Sequence, residues 1–122
     1  MNPDISEAQI STLVDAFYTK VRLDPEIGPI FNATVDDWPQ HLVVLKDFWS
    51  TVLLTTGRYQ GDPMMRHLRL GLDPQHFERW LALFAETAHE TFPADVASHI
   101  VEKSRRIARN LQEATAYLKS RQ

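Results

Sequence analysis

Hydrophobic residues recur three or four positions apart along most of the chain, which is the spacing of one helix face. Over residues 6–23 this pattern predicts a first helix, with Ser6 and Gln9 spaced as a capping box at its start. A similar pattern predicts a second helix over 38–56, which Gly57 ends. No segment keeps the alternation of a strand, so the predicted fold class is all-α.

Proline and glycine divide the chain between these helices. Two prolines and a glycine within 24–31 predict a turn or tight irregular connection there. After a turn-rich stretch, Pro63 can open a short helix from Met64 to Leu70, and the turn after Leu70 closes it. The sequence therefore predicts a third, short helix that contains His67.

Two longer helices complete the chain. Asp73-Pro74 is typical of a helix start, and an aromatic stripe then continues to Phe92-Pro93. A last helix runs from Pro93 towards the C-terminus, and its predicted inward residues are Val96, Ile100, Ile107, Leu111, Ala114 and Leu118. The sequence thus predicts about five helices in a single domain over residues 1–122.

Composition narrows the function classes. The 122 residues contain 13 Lys and Arg against 16 Asp and Glu, a formal charge of −3, and no cysteine. The missing basic run argues against nucleic acid and anionic membranes as partners, and the missing thiols exclude disulfides, iron-sulfur clusters and cysteine nucleophiles. No apolar stretch approaches the roughly 20 residues of a membrane span, and no leader pattern opens the chain. We therefore expect a cytoplasmic protein.

The histidines are the candidate chemical groups, because no phosphate loop, nucleophile elbow or zinc-protease motif is present. His89 and His99 fall on polar helix faces and are expected to lie in solvent. His76, in a first helical turn, is expected either at the surface or near an acidic ligand group. His67 is, on spacing alone, either structural or a ligand.

Three polar rings are predicted to point inward. His41 shares a stripe with Leu45 and Trp49, while Tyr18 and Trp80 lie among apolar neighbours on their own helices. Buried polar groups need partners, so a hydrogen-bonded core cluster is the default interpretation and a ligand pocket the alternative.

Four ordered blocks resemble the third group of the truncated haemoglobins. They are FYTKVRLDPEIGPIF at 17–31, WPQHLVVLKDFW at 38–49, YQGDPMMRHLRL at 59–70 and HFERWLALF at 76–84. Helix order and lengths agree over nearly the whole chain, and the absence of a Gly-Gly pair fits the third group better than the first two. The resemblance implies a globin-like domain of about five helices around a haem pocket.

The resemblance also implies residue roles. His67 takes the position of the proximal ligand to the haem iron. Tyr18, His41 and Trp80 match the distal positions that line the open coordination site. Three donors there would stabilise a diatomic ligand that carries partial negative charge, and would therefore slow its release.

Phe31 and Leu45 match the apolar positions that pack on the porphyrin in this family. Arg66, Arg69 and His76 are expected near the haem rim, without a ranking as propionate partners. The connection from Phe31 to the second helix is short, so its packing decides whether His41 turns over the iron or out to solvent.

The function implied is a haem b protein that binds oxygen, nitric oxide and carbon monoxide at a penta-coordinate iron. Slow release argues against bulk oxygen transport and favours redox chemistry, either nitric-oxide dioxygenase-like or peroxidase-like. Such chemistry would require an electron-donor reductase, and the chain is expected to be a monomer.

Two other classes compete with this interpretation. The first is a haem-free helical regulatory or interaction module, in which Tyr18, His41 and Trp80 form a satisfied core network and His67 lies at the surface. The second is a non-haem metal enzyme, which would require inward carboxylates near the histidines. The sequence places no carboxylate inward.

Overall fold

A computed structural model describes residues 5–59 and 70–121. These residues form helices and connecting loops without a strand, which confirms the all-α prediction. The helices are α1 (Glu7–Leu23), α2 (Gly28–Thr34), α3 (Trp38–Leu54), α4 (Pro74–Thr91) and α5 (Ala94–Ser120).

Helix α1 begins as its sequence predicts. The Ser6 hydroxyl accepts the backbone N–H of Gln9 at 3.1 Å, and the Gln9 side chain accepts the backbone N–H of Ser6 at 2.9 Å. These two bonds satisfy donors that a helix start otherwise leaves free. The buried face of α1 consists of Ile10, Leu13, Val14, Phe17, Tyr18 and Val21.

The prediction of an irregular connection over 24–31 is wrong from residue 28 onwards, because Gly28 begins helix α2. The buried Asp24 carboxylate accepts the backbone N–H groups of Glu26 and Ile27, both at 3.0 Å. This turn delivers the chain directly into α2, with proline in its first turn. A Cβ at Gly28 would lie only 2.8 Å from the Arg22 carbonyl oxygen, so glycine permits the close approach of α2 to the end of α1.

Helix α3 ends two residues before its predicted boundary. The Asp37 carboxylate caps its start by accepting the backbone N–H of Gln40 at 3.1 Å. Leu54 is its last residue, and Thr55 comes next in the left-handed conformation with φ of 56°. The turn that ends the helix therefore precedes Gly57.

All but the last residue of the predicted short helix over 64–70 lies within residues 60–69, which are outside the described residues. His67, Arg66 and Arg69 lie in the same range.

Helices α4 and α5 form the most extensive helix pair, and α1 packs against α4, α3 and α2. The aromatic face of α4 is buried, and of the residues predicted to be inward on α5, Val96, Ile100 and Leu111 are buried while Ile107 and Ala114 are half-buried. Leu118 is an error in that prediction, since 44% of its surface is exposed. Periodicity identifies a face of the 27-residue α5, but burial also requires a neighbour that extends as far as its last turns.

Candidate functional site

A narrow cavity of about 20 Å³ is bordered by residues from helices α1 to α5, and the space between its wall atoms amounts to about 450 Å³ when open solvent is included. Aromatic and aliphatic side chains form nearly all of its wall, and the Tyr18 hydroxyl and the Trp80 indole supply polar atoms. The lining residues are Tyr18, Phe31, Leu45, Phe48, Trp49, Leu72, Phe77, Trp80, Ile107, Ala108 and Leu111.

Tyr18 brings a phenol into this apolar wall from α1. Only 2% of the residue is exposed, and burial raises the pKa of its hydroxyl well above the ordinary value. The Trp80 indole lies beside this hydroxyl and lowers its pKa by less than burial raises it. Because an indole N–H can only donate, the Tyr18 oxygen is the acceptor available to it, and the phenol proton is left for another acceptor.

Trp80 is held in position by an aromatic cluster. Its ring stacks on Phe84 with centroids 5.4 Å apart and an interplanar angle of 6°. Phe17 meets the Trp80 ring edge-on at 5.2 Å, and Trp49 stacks on Phe84 at 5.0 Å. Such contacts restrict ring orientation, so the indole that meets Tyr18 is fixed by packing from α1, α3 and α4.

His41 lies beside Tyr18, although it is not among the residues that line the cavity. Its ring is half-buried and stands edge-on to Tyr18 at 6.3 Å and to Trp38 at 5.5 Å. Trp38 is itself fixed, since its indole N–H donates to the Asn32 side-chain oxygen at 3.2 Å and the Arg22 guanidinium lies 4.7 Å from its ring centroid. The contacts with the Tyr18 and Trp38 rings place His41 beside the cavity, next to Tyr18.

Phe31 and Leu45 are both buried in the cavity wall, at 3% and 6% exposure. The Tyr18 and Phe31 ring centroids are 6.3 Å apart. Phe31 lies in the wall because α2 forms where the sequence predicted an irregular connection.

An ion pair connects the α1–α2 turn to the helix that carries Trp80. Arg79 donates from Nε to the Asp24 carboxylate at 2.7 Å. Burial alone would raise the pKa of Asp24, but the hydrogen bonds from Ile27, Arg79 and Glu26 outweigh it and hold that pKa below its usual value. Sequence reasoning missed this pair, because no local pattern relates residues 55 positions apart.

Several wall residues were predicted to be inward without being assigned to a site. They are Trp49, Ile107 and Leu111. Their helical stripe was the available signal, but a stripe alone does not distinguish a cavity wall from a filled core.

The remaining histidines lie apart from the Tyr18 hydroxyl. His89 and His99 are exposed, as predicted. The ring Nδ1 of the half-buried His76 accepts the backbone N–H of Asp73 at 3.0 Å, so this side chain caps α4. Across residues 5–59 and 70–121, no three His, Asp or Glu side chains are arranged to hold a metal ion. None of the helices in this part of the chain is long and apolar enough to cross a membrane.

Comparison with known proteins identifies the class. The model of the bacterial-like globin family matches residues 6–114, and the chain belongs to that family. The chain is 35% identical over 113 residues to the group 3 truncated haemoglobin ctb of Campylobacter jejuni, covering 88% of this chain and 89% of that protein.

Solved structures agree with this assignment. The crystal structure of the group III truncated haemoglobin from Campylobacter jejuni matches with a TM-score of 0.85 at 34% identity, over 93% of this chain and 94% of that one. The group II truncated haemoglobin from Bacillus anthracis matches with a TM-score of 0.77 at 26% identity, over 88% and 85%. The group III resemblance is confirmed, and the family implies a haem cofactor and diatomic ligands.

The chemistry of the cavity wall fits such a cofactor. A porphyrin is flat and largely apolar, and small-molecule sites are typically apolar with a few placed polar groups. The wall has this chemistry, with Tyr18 and Trp80 as its converging polar groups.

Proposed function

We propose that the chain holds haem b in the described cavity and binds oxygen, nitric oxide and carbon monoxide there, with Tyr18 and Trp80 as hydrogen-bond partners of the ligand. The observation that carries this proposal is the buried pair of polar rings, the Tyr18 phenol and the Trp80 indole, in an otherwise apolar wall. When bound, haem would supply an iron that takes a diatomic ligand.

Phe31 and Leu45 would pack against the macrocycle, because both are buried in the cavity wall. His67 would supply the axial imidazole, on the strength of the family resemblance, since its position is outside the described residues. Arg66, Arg69 and His76 would lie near the rim. His76 is the one of these three that the structure describes, and its Nδ1 already accepts a backbone N–H, which leaves Nε2 for a further partner.

Tyr18 and Trp80 would act as a unit. The phenol accepts the indole N–H, so its own proton can be directed at a ligand. The raised pKa of Tyr18 keeps the phenol neutral, and a neutral phenol donates where a phenolate cannot. Hydrogen bonds inside an apolar wall are stronger than in water, which favours retention of a ligand that bears partial negative charge.

His41 would be the third distal donor. Its half-buried ring lies at the edge of the site, against Tyr18 and Trp38. The packing of Trp38 limits the movement of the His41 imidazole. A change in the α2–α3 connection that moved Trp38 would therefore also move His41.

Strong retention favours a redox or detoxifying role over bulk oxygen transport. Nitric-oxide dioxygenase-like or peroxidase-like activity would make use of a ligand that is held rather than released. Such turnover requires an electron-donor reductase. We further propose that the protein acts as a monomer in the cytoplasm.

Absorption spectroscopy of the purified full chain, before and after addition of haem, tests this function. A stoichiometric Soret band that shifts when carbon monoxide is added to the reduced protein is expected. The chain without haem should melt at a lower temperature than the loaded chain, because a ligand that binds only the native state stabilises it.

Failure to take up haem, together with an unchanged melting temperature, would contradict the proposal. That result would favour the haem-free interaction module, in which Tyr18 and Trp80 serve only as a satisfied core pair.

A further inference from the structure

A second concave surface lies between α3 and α5, next to the cavity. Its volume is about 310 Å³, at the lower end of the usual range for small-molecule sites. Its apolar side is formed by Phe48 and Val52 from α3 and by Ile107 and Leu111 from α5. We call this surface the α3–α5 groove.

The groove adjoins the cavity through shared side chains. Phe48, Ile107 and Leu111 line both spaces. Phe48 also meets Trp49 of the cavity wall edge-on, with ring centroids 5.4 Å apart. A molecule in the groove would therefore press on residues that shape the cavity.

Cationic side chains also line the groove. Lys103 and Arg106, one turn apart on α5, line it together with the Asn110 amide. In the described part of the chain no carboxylate pairs with Lys103, and Arg106 has only Glu102 at 3.8 Å. Both members of that last pair are more than half exposed, so their interaction is weak. Two positive charges therefore lie in the groove beside apolar side chains, without strong internal partners.

We infer that the α3–α5 groove binds a free fatty acid, an anion with a carboxylate head and a linear hydrocarbon tail. The head would lie at Lys103 and Arg106, with Asn110 as an additional donor, because charge-assisted bonds to carboxylates are among the strongest hydrogen bonds. The tail would cover the apolar side, which a small polar anion would leave in water. This inference goes beyond gas binding, since the ligand lies outside the cavity.

Calorimetric titration of the haem-saturated full chain with dodecanoate, below its micelle concentration, tests the inference. Haem saturation keeps the titrant out of the cavity. Butyrate carries the same head without the tail, and dodecyltrimethylammonium carries the same tail with the opposite charge. Both are expected to bind much more weakly than dodecanoate.

Two double variants on the same helix locate the site. Lys103→Gln with Arg106→Gln removes the two groove cations, whereas Arg105→Gln with Arg109→Gln removes two exposed cations that do not line it. Net charge changes equally in both. Dodecanoate affinity is expected to fall about ten-fold in the first pair and less than about two-fold in the second. The same titration should shift the Soret band of the parent protein, because the groove and cavity share side chains.

Equal weakening in both pairs would overturn the inference, because it would indicate general attraction to a basic helix. Binding to phosphatidylglycerol vesicles without binding of monomeric dodecanoate would also overturn it. If the chain does not take up haem, the proposed function fails separately, and the two variant pairs compared without haem still decide whether the groove cations hold the carboxylate.

Discussion

Replacement of Tyr18 by Phe isolates the hydroxyl that meets Trp80. The ring contacts of Tyr18 with Phe17 at 4.7 Å and with Phe31 at 6.3 Å are retained in a phenylalanine of the same shape. The substitution removes the acceptor for the indole N–H and the proton that the phenol can donate. It therefore changes hydrogen bonding with little change in packing.

Loss of the phenol donor is expected to speed oxygen release, and loss of the phenol oxygen as an acceptor is expected to lower stability. One donor to a bound ligand contributes about 1 kcal/mol, which corresponds to about five-fold faster oxygen release. The indole N–H of Trp80, in a residue only 8% exposed, loses its acceptor, at roughly 1–3 kcal/mol of folding free energy. For a domain of this size that corresponds to a melting temperature lower by about 4 to 12 °C.

Two assays separate the effects. Stopped-flow displacement of oxygen by carbon monoxide from the reduced, haem-loaded variant gives the release rate, and thermal melting gives the stability. Tyr117→Phe is the matched control, since the Tyr117 ring is 59% exposed on the last turns of α5. The control should leave both quantities unchanged.

An oxygen release rate equal to that of the parent protein would remove Tyr18 from the distal donors. The double variant with Trp80→Phe refines the result. Because the two side chains bond to each other, their combined effect on release should be smaller than the sum of the single effects. Strict additivity would refute the idea that they act as a unit.

Further predictions concern the axial ligand and the turn beside the site. His67→Ala should abolish the axial imidazole signature in the absorption spectrum of the haem-loaded chain, and an unaltered spectrum would exclude His67 as the ligand. Gly28→Ala should destabilise the fold by about 1–3 kcal/mol in urea unfolding, because the new Cβ meets the Arg22 carbonyl oxygen at 2.8 Å. The lowered pKa of Asp24 means that its stabilisation is complete above the unfolded-state pKa and is lost as the pH falls through the folded value. Asp24→Asn should therefore lower stability by about 2 kcal/mol at neutral pH and reduce the loss of stability on acidification, and an acid profile identical to the parent's would contradict this assignment.

Local pattern determined most of the helical framework. The spacing of apolar residues and the Ser6–Gln9 box define α1, and Asp73-Pro74 places the start of α4. The inward placement of Tyr18 and Trp80 also results from their stripes, because a helix with one apolar face buries that face. These features depend on residues within a few positions of each other, so sequence alone suffices for them.

Helix α2 could not be predicted in this way. Its formation depends on the Asp24 carboxylate, which caps the preceding turn and also bonds to Arg79 on α4. The close approach at Gly28 likewise depends on where α1 ends. Proline and glycine in this segment indicate a break in α1, but the tertiary contacts decide that a second helix forms directly after the break.

The meeting of the polar rings was also decided by the tertiary structure. Periodicity placed His41, Tyr18 and Trp80 on inward faces without relating one face to another. Packing of α1 against α3 and α4 brings Tyr18 to both partners, leaves His41 half-buried, and leaves Leu118 exposed on the last turns of α5. A sequence records the chemistry and local geometry of each helix, whereas a binding site requires distances between helices, and those distances are set when all the helices pack together.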